Sequence, residues 1–113
     1  MDFSTTFAFL QQQARRTVEQ YPGLHPMYTT GGRWDRAGEK WTHWCEGFFP
    51  GMMWLIHRKT GQAWWREQAE TYSRRLEPRQ QDREVHDLGF IFLTTYLPWY
   101  RLTGDRALND VLL

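Results

Sequence analysis

The chain has 113 residues, with seven Trp, seven Phe and five Tyr, and its 14 basic residues nearly balance its 13 acidic ones. This length allows at most one ordinary domain, and 41% hydrophobic residues exclude a disordered protein. A net charge of +1 gives no electrostatic reason to expect a nucleic acid partner, and no segment has the roughly 20 apolar residues of a membrane span. The single Cys45 excludes an intrachain disulfide, so a cytoplasmic location is expected.

The first predicted element is a helix that begins near Ser4 or Thr5, either of which is a suitable N-cap residue. Its apolar residues recur at helical spacing: Phe3, Phe7, Leu10, Ala14 and Val18. The helix must end before Pro22, since proline disfavours helix at the preceding residue. Residues 22–43 contain two prolines and four glycines and show no sustained period. They predict a long loop, of a kind that is usually functional or mobile.

Two further helices are predicted on either side of Gly61. The second helix runs from about Cys45–Pro50 to Thr60, and Pro50 is tolerable only in its first turn. Gly61 ends it as a C-cap glycine. The third helix runs from Gln62 to about Leu76, and its apolar stripe consists of Trp65, Ala69, Tyr72 and Leu76.

A fourth helix is predicted over about Asp87–Thr103, after a short polar loop. Its apolar face consists of Leu88, Phe92, Tyr96 and Trp99, and Pro98 should kink it. Gly104 ends this helix, and Asp105 begins a fifth one.

The second and fourth helices open and close with similar sequences. Gly47-Phe48 and Gly89-Phe90 lie 42 residues apart, and Thr60-Gly61 and Thr103-Gly104 lie 43 apart. A period near 43 built from helix pairs predicts stacked helical hairpins, in a HEAT-like array or a closed helical ring. Since about three such units are needed to bury their apolar faces, we expect 1–113 to be the truncated first part of a larger, all-α repeat domain.

Residues suited to sugar binding occur at the starts of the second and fourth helices. Trp41, Trp44 and Phe48 crowd one start, and His86-Asp87 begins the other. If the hairpins stack in parallel, the two ends meet at one rim. Flat aromatic faces beside a carboxylate suit the apolar face and the hydroxyls of a sugar ring.

Each of these residues also has a simpler interpretation. Asp87 at a helix start is most often an N-cap, and Trp44 and Phe48, four residues apart, are more often core than ligand platform. His43-x-Cys45 has no second pair of ligands at metal-binding spacing. We therefore expect neither a metal site nor a cofactor.

The segments Trp44–Trp54 and His86–Phe90, with Thr60-Gly61 and Tyr100–Asp105, resemble the N-terminal part of unsaturated glucuronyl hydrolases, glycoside hydrolase family 88. The resemblance covers about Trp41–Asp105. It implies an (α/α)6 toroid of twelve helices, of which this chain would hold about the first four and part of a fifth. Residues 1–113 would then be the N-terminal part of a single, incomplete catalytic domain.

The resemblance also implies an activity. Family members take oligosaccharides with a 4,5-unsaturated uronic acid at the non-reducing end and hydrate the double bond, after which the glycosidic linkage falls apart. Asp87 matches one of two central aspartates, while the acid/base aspartate would follow Leu113. By the same match His86, Trp44 and Phe48 line the subsite for the unsaturated sugar. Asp87 at a helix start beside His86 is best cast as an ionised partner of the acid/base residue.

Two other classes of function stay open. One is a non-catalytic helical-repeat scaffold that binds a glycan or a protein. The other is a different (α/α)6 enzyme, such as an unsaturated rhamnogalacturonyl hydrolase or a sugar epimerase. If the chain is part of an unsaturated glucuronyl hydrolase, it lacks one catalytic carboxylate and most of the pocket. We therefore expect these 113 residues alone not to turn over substrate.

Overall fold

The computed structural model describes residues 1–35 and 40–113, with only the backbone of Lys40 and Trp41. The described part is mostly helical and belongs to the all-α class. Its α-helices are α1 (Ser4–Gln20), α2 (Phe48–Thr60), α3 (Ala63–Arg74), α4 (Leu88–Phe92), α5 (Tyr96–Thr103) and α6 (Arg106–Leu112). 3₁₀ helices span Lys40–Gly47 and Glu77–Gln81, and two short strands are β1 (Tyr28–Thr30) and β2 (Arg33–Asp35). Within the described ranges, no helix is long and apolar enough to cross a membrane.

Helix α1 has the predicted extent but not the predicted cap. The residue that precedes it is Phe3, which offers no capping side chain, so the prediction of a cap at Ser4 or Thr5 is wrong. Instead the carboxylate of Asp2 accepts hydrogen bonds from the Ser4 backbone N–H at 2.8 Å and from its hydroxyl at 3.0 Å. Of the predicted apolar stripe, Ala14 is buried, whereas Phe3 is 61% exposed. The stripe therefore packs only from its second member onward.

The predicted loop over residues 22–43 contains a β-hairpin. Strands β1 and β2 pair antiparallel, with Thr30 opposite Arg33 across a turn formed by Gly31 and Gly32. Both glycines have positive φ, 57° and 74°, which a two-residue hairpin turn of the favoured twist requires. The expectation of a structureless loop is thus wrong for this part, while positions 36–39 lie outside the described residues.

The two predicted Thr-Gly stops have the same structure. Gly61 and Gly104 have φ values of 68° and 70°, and each donates its N–H over 2.7 Å to the carbonyl four residues back. The hydroxyls of Thr60 and Thr103 each accept the N–H two residues on, at 3.2 Å. Only glycine adopts this left-handed cap without a Cβ penalty, so the internal repeat specifies two equivalent helix ends.

The fourth predicted helix is divided, and the break lies one turn before Pro98. Helices α4 and α5 are separated at Leu93–Thr95, whereas Pro98 lies in the first turn of α5. Pro98 has no N–H to donate to the carbonyl of Thr94, and its ring crowds that carbonyl. The helix is therefore interrupted one turn before the proline. Pro50 occupies the same third position in α2.

Each helical pair packs as a hairpin, and aromatic side chains join the two pairs. Helix α2 lies against α3, where the indole of Trp54 donates to the hydroxyl of Ser73 at 3.1 Å, and α5 lies against α6. The rings of Trp54 and Trp99, one from each pair, are 5.7 Å apart. Both indoles are buried, which fixes the second pair against the first.

Candidate functional site

Two glycines let the start of α2 approach α4 closely. A Cβ on Gly47 would lie 2.6 Å from the Cα of Ile91, and one on Gly51 would lie 3.0 Å from the Cβ of Thr94. The Thr94 hydroxyl donates to the Gly47 carbonyl at 3.0 Å. The N-terminal ends of α2 and α4 therefore lie side by side, because the backbone at these positions carries no side chain.

Three aromatic rings meet where these helix starts lie side by side. The ring centroids of Trp44 and Phe90 are 5.3 Å apart, those of Trp44 and Phe48 are 5.8 Å apart, and those of Phe48 and Phe90 are 6.0 Å apart. We call Trp44, Phe48 and Phe90 the aromatic cluster. Phe48 is 41% exposed and Phe90 49% exposed, so two rings of the cluster are accessible to solvent. The side chain of Trp41, predicted to belong with them, lies outside the described part.

Phe90 belongs to the aromatic cluster but was not predicted from the sequence to be a site residue. A signal was available, since the repeat aligns Gly89-Phe90 with Gly47-Phe48. Equivalent residues of adjacent hairpins can meet when the hairpins stack in parallel.

His86 and Asp87 immediately precede α4, and both are exposed. Asp87 occupies the N-cap position, but its side chain makes no capping hydrogen bond, so the simplest interpretation of this residue does not apply. Its backbone is left-handed, with φ 55°, the one positive value among the non-glycine residues described. Its carbonyl accepts the N–H of Phe90 at 2.9 Å, which places the Asp87 backbone one turn from the aromatic cluster.

The 3₁₀ helix that carries Trp44 also carries His43 and Glu46, which belong to a group of partly buried charged side chains. The carboxylate of Glu46 is only 3% exposed and lies 3.1 Å from the Arg79 guanidinium. The Nδ1 atom of His43 lies 2.9 Å from both Glu46 and Arg79. His43 is therefore engaged within the protein. Burial raises the pKa of the neighbouring Cys45 thiol, which leaves it protonated at neutral pH.

The described residues contain no group of three His, Cys, Asp or Glu side chains placed to hold a metal ion. The chemistry available at this site is that of exposed aromatic rings, with an imidazole and a carboxylate on the adjoining turn. Such a surface can stack on an apolar ligand face and bind hydroxyl groups.

An apolar groove begins at Phe48 and runs between α2 and α5. Its volume is about 880 Å³, and its walls include Leu55 and Leu93, which are 63% and 60% exposed. Arg58 and Arg101 lie toward the C-terminal ends of the two helices. The aromatic cluster and the groove share Phe48, so one continuous surface connects them.

Comparison with known proteins gives one local likeness. The chain is 38% identical over 47 residues to an unsaturated glucuronyl hydrolase from Formosa agariphila. The match covers 42% of this chain and 12% of the hydrolase, so the chain spans only a small part of that protein's length. No protein-family model matches the chain. No solved structure matches it either.

Proposed function

We propose that this chain forms one wall of the sugar site of a hydrolase that acts on unsaturated uronic-acid oligosaccharides. The observation that carries the proposal is the contact of Trp44, Phe48 and Phe90 at the helix start that follows Asp87. The local likeness to an unsaturated glucuronyl hydrolase supports the same substrate class. That likeness also supports hydrolase activity of the glycosidase type, and the reaction that we propose is hydration of the double bond.

In the proposed site each residue has a role set by its chemistry. The aromatic cluster stacks on the flattened apolar face of the unsaturated ring. Asp87 accepts hydrogen bonds from ring hydroxyls, and His86 binds the uronate or a hydroxyl. A second carboxyl group, which the family resemblance assigns to a part of such hydrolases outside these 113 residues, protonates C4. As the resulting carboxylate, it then accepts a proton from the water that adds at C5. The resulting hemiketal opens, and the glycosidic bond breaks.

A titration with an unsaturated glucuronyl disaccharide tests this proposal. We expect the disaccharide to quench part of the Trp emission of the protein and to shift the ring resonances of the aromatic cluster. Trp44→Ala should weaken binding about tenfold, since an aromatic contact contributes roughly 0.5–1.5 kcal/mol beyond its buried area and 1.4 kcal/mol is a factor of ten. Trp34→Ala, which removes an exposed indole in β2, is the matched control and should leave affinity unchanged.

The same titration separates substrate classes. A saturated disaccharide should bind more weakly, because its puckered ring offers a poorer face for stacking. Tighter binding of an unsaturated galacturonyl-rhamnose disaccharide would favour a rhamnogalacturonyl hydrolase instead. Absence of binding to any of these sugars would overturn the proposal.

The apolar groove favours a second candidate, a helical-repeat scaffold that binds a protein or a glycan. Leu55 and Leu93 are exposed side chains of this one groove, and contiguous exposed apolar surface is typical of protein interaction sites. The sugar titration distinguishes the candidates. If the chain is a scaffold, the unsaturated and the saturated disaccharide should have the same effect on the resonances of the aromatic cluster.

A further inference from the structure

A single guanidinium contacts both chain segments that supply the proposed sugar site. Arg79 donates through Nε to Glu46 at 3.1 Å, and Glu46 lies in the same 3₁₀ helix as Trp44. Through another nitrogen, Arg79 donates to Asp82 at 2.8 Å. Asp82 in turn accepts the backbone N–H of Glu84 at 2.9 Å, on the segment that leads to His86 and Asp87.

The pair Glu46–Arg79 is enclosed by protein on the Glu46 side. Glu46 is 3% exposed and Arg79 25% exposed, so the carboxylate has exchanged water for the guanidinium. Removing two charges from water offsets much of their attraction, so such a pair adds little net stability over apolar residues. Its directional hydrogen bonds, by contrast, fix the relative position of the groups that it joins.

The segment that carries Arg79 is held from its other side as well. Tyr96 of α5, which is fully buried, donates its hydroxyl to Glu77 at 2.7 Å. Residues 77–82 are thus fixed between α5 and the 3₁₀ helix that precedes α2. Asp87 follows five residues after Asp82, in a left-handed conformation that persists only where the surrounding structure determines it.

We propose that Arg79 and Glu46 are positioning residues, which set the location of Trp44 relative to Asp87 and thereby the shape of the sugar site. This inference rests on the proposed function for its ligand. Its geometric part, the dependence of the Trp44–Phe90 contact on the ion pair, does not. Neither residue touches the sugar, and both act through the two helix starts.

The variants separate positioning from loss of stability. Arg79→Met removes the arginine from the buried Glu46 carboxylate and risks unfolding, so the main test is the double variant Glu46→Gln/Arg79→Met, which leaves no carboxylate at position 46. In both variants Asp82, whose side chain is 15% exposed, loses its bond to Arg79 and keeps the one from the Glu84 N–H. Arg66→Met is the control for loss of an ion pair, because it breaks the exposed Arg66–Glu70 contact at 2.7 Å. Ile56→Val, at a fully buried core position, is the control for lowered stability alone.

Two measurements on the folded variants test the proposal. The first is the NOE between the ring protons of Trp44 and Phe90, which needs no ligand. The second is the affinity for the unsaturated glucuronyl disaccharide. We expect the double variant to lose the NOE and to bind about tenfold more weakly, the same loss as in Trp44→Ala, because Trp44 no longer lies against the sugar. Both controls should keep the NOE and the wild-type affinity.

The outcomes are distinct. A folded double variant that retains either the NOE or the wild-type affinity overturns the positioning role. If the wild-type protein binds none of the sugars but the NOE still depends on the ion pair, the proposed function fails while Arg79 and Glu46 keep their geometric role. Recovery of the NOE and of affinity in Arg79→Lys would show that charge alone suffices and would overturn the role of the guanidinium's directional bonds.

Discussion

Replacement of Gly47 by alanine tests the close approach that brings the starts of α2 and α4 together. The backbone of Gly47 is right-handed, with φ −75° and ψ −19°, so alanine meets no conformational penalty there. The added Cβ would lie 2.6 Å from the Cα of Ile91, 2.7 Å from the hydroxyl of Thr94 and 2.9 Å from the Ile91 carbonyl. Two of these three atoms belong to backbone and cannot rotate away, so α4 itself must shift.

Overpacking of this kind costs about 1–3 kcal/mol. Gly89→Ala is the matched control, because Gly89 is the equivalent residue of the second Gly-Phe pair and its added Cβ would meet only the Cδ1 of Leu93, at 3.9 Å. There the helix propensity of alanine should add about 1 kcal/mol of stability. The two variants should therefore differ by roughly 2–4 kcal/mol.

Urea denaturation followed by far-ultraviolet circular dichroism measures this difference, and thermal denaturation should show it as roughly 8–16 °C in Tm. Gly47→Ala should also abolish the NOE between Trp44 and Phe90, since both rings depend on the spacing of the two helix starts. A Gly47→Ala protein as stable as the wild type would refute the close packing of α2 against α4.

Two other substitutions test single features of the fold. Tyr96→Phe should lower the free energy of unfolding by about 1 kcal/mol at pH 7, through loss of the hydrogen bond to Glu77. Burial, and to a smaller extent the bond to Glu77, raises the pKa of the Tyr96 hydroxyl in the folded protein. The stabilisation by this hydroxyl is therefore present below its unfolded pKa of about 10 and is lost as the pH rises further. Urea titrations should show the stabilities of wild type and Tyr96→Phe converging above that pH, and a constant difference would contradict this. Asp87→Gly should be at least as stable as wild type in urea and about 1 kcal/mol more stable than Asp87→Ala. The reason is that φ at this position is 55°, a conformation that disfavours alanine. Equal stability of Asp87→Gly and Asp87→Ala would argue against the left-handed backbone.

The helix stops and the buried faces could be predicted from the sequence because they depend on local chemistry. Glycine after threonine marks Gly61 and Gly104 as caps, and helical spacing identifies Trp65 and Tyr72 as buried. The division of the fourth helix was harder to predict. A proline acts on the carbonyl four residues before it, so the break at Thr94 lies a full turn from Pro98.

The candidate site could be predicted only in part, since its tertiary contacts have no local signal. Trp44 and Phe48 are recognisable from their spacing, but the ring of Phe90 joins them only because Gly47 admits α4. The ion pair of Glu46 with Arg79 joins positions 33 residues apart. No periodicity in the sequence relates two such residues, and on a helical pattern alone each is an ordinary surface charge.

Direct contact between sugar and aromatic cluster is the central claim of this account. It is tested most directly by intermolecular NOEs between the ring protons of an unsaturated glucuronyl disaccharide and those of Trp44, Phe48 and Phe90. We predict NOEs from the C4 vinyl proton of the sugar to the Trp44 ring, and we predict that Trp44→Ala removes them. We also predict that the 113-residue chain alone does not lower the absorbance of the sugar's double bond. NOEs confined to the groove at Leu55 and Leu93, or rapid loss of the absorbance, would contradict it.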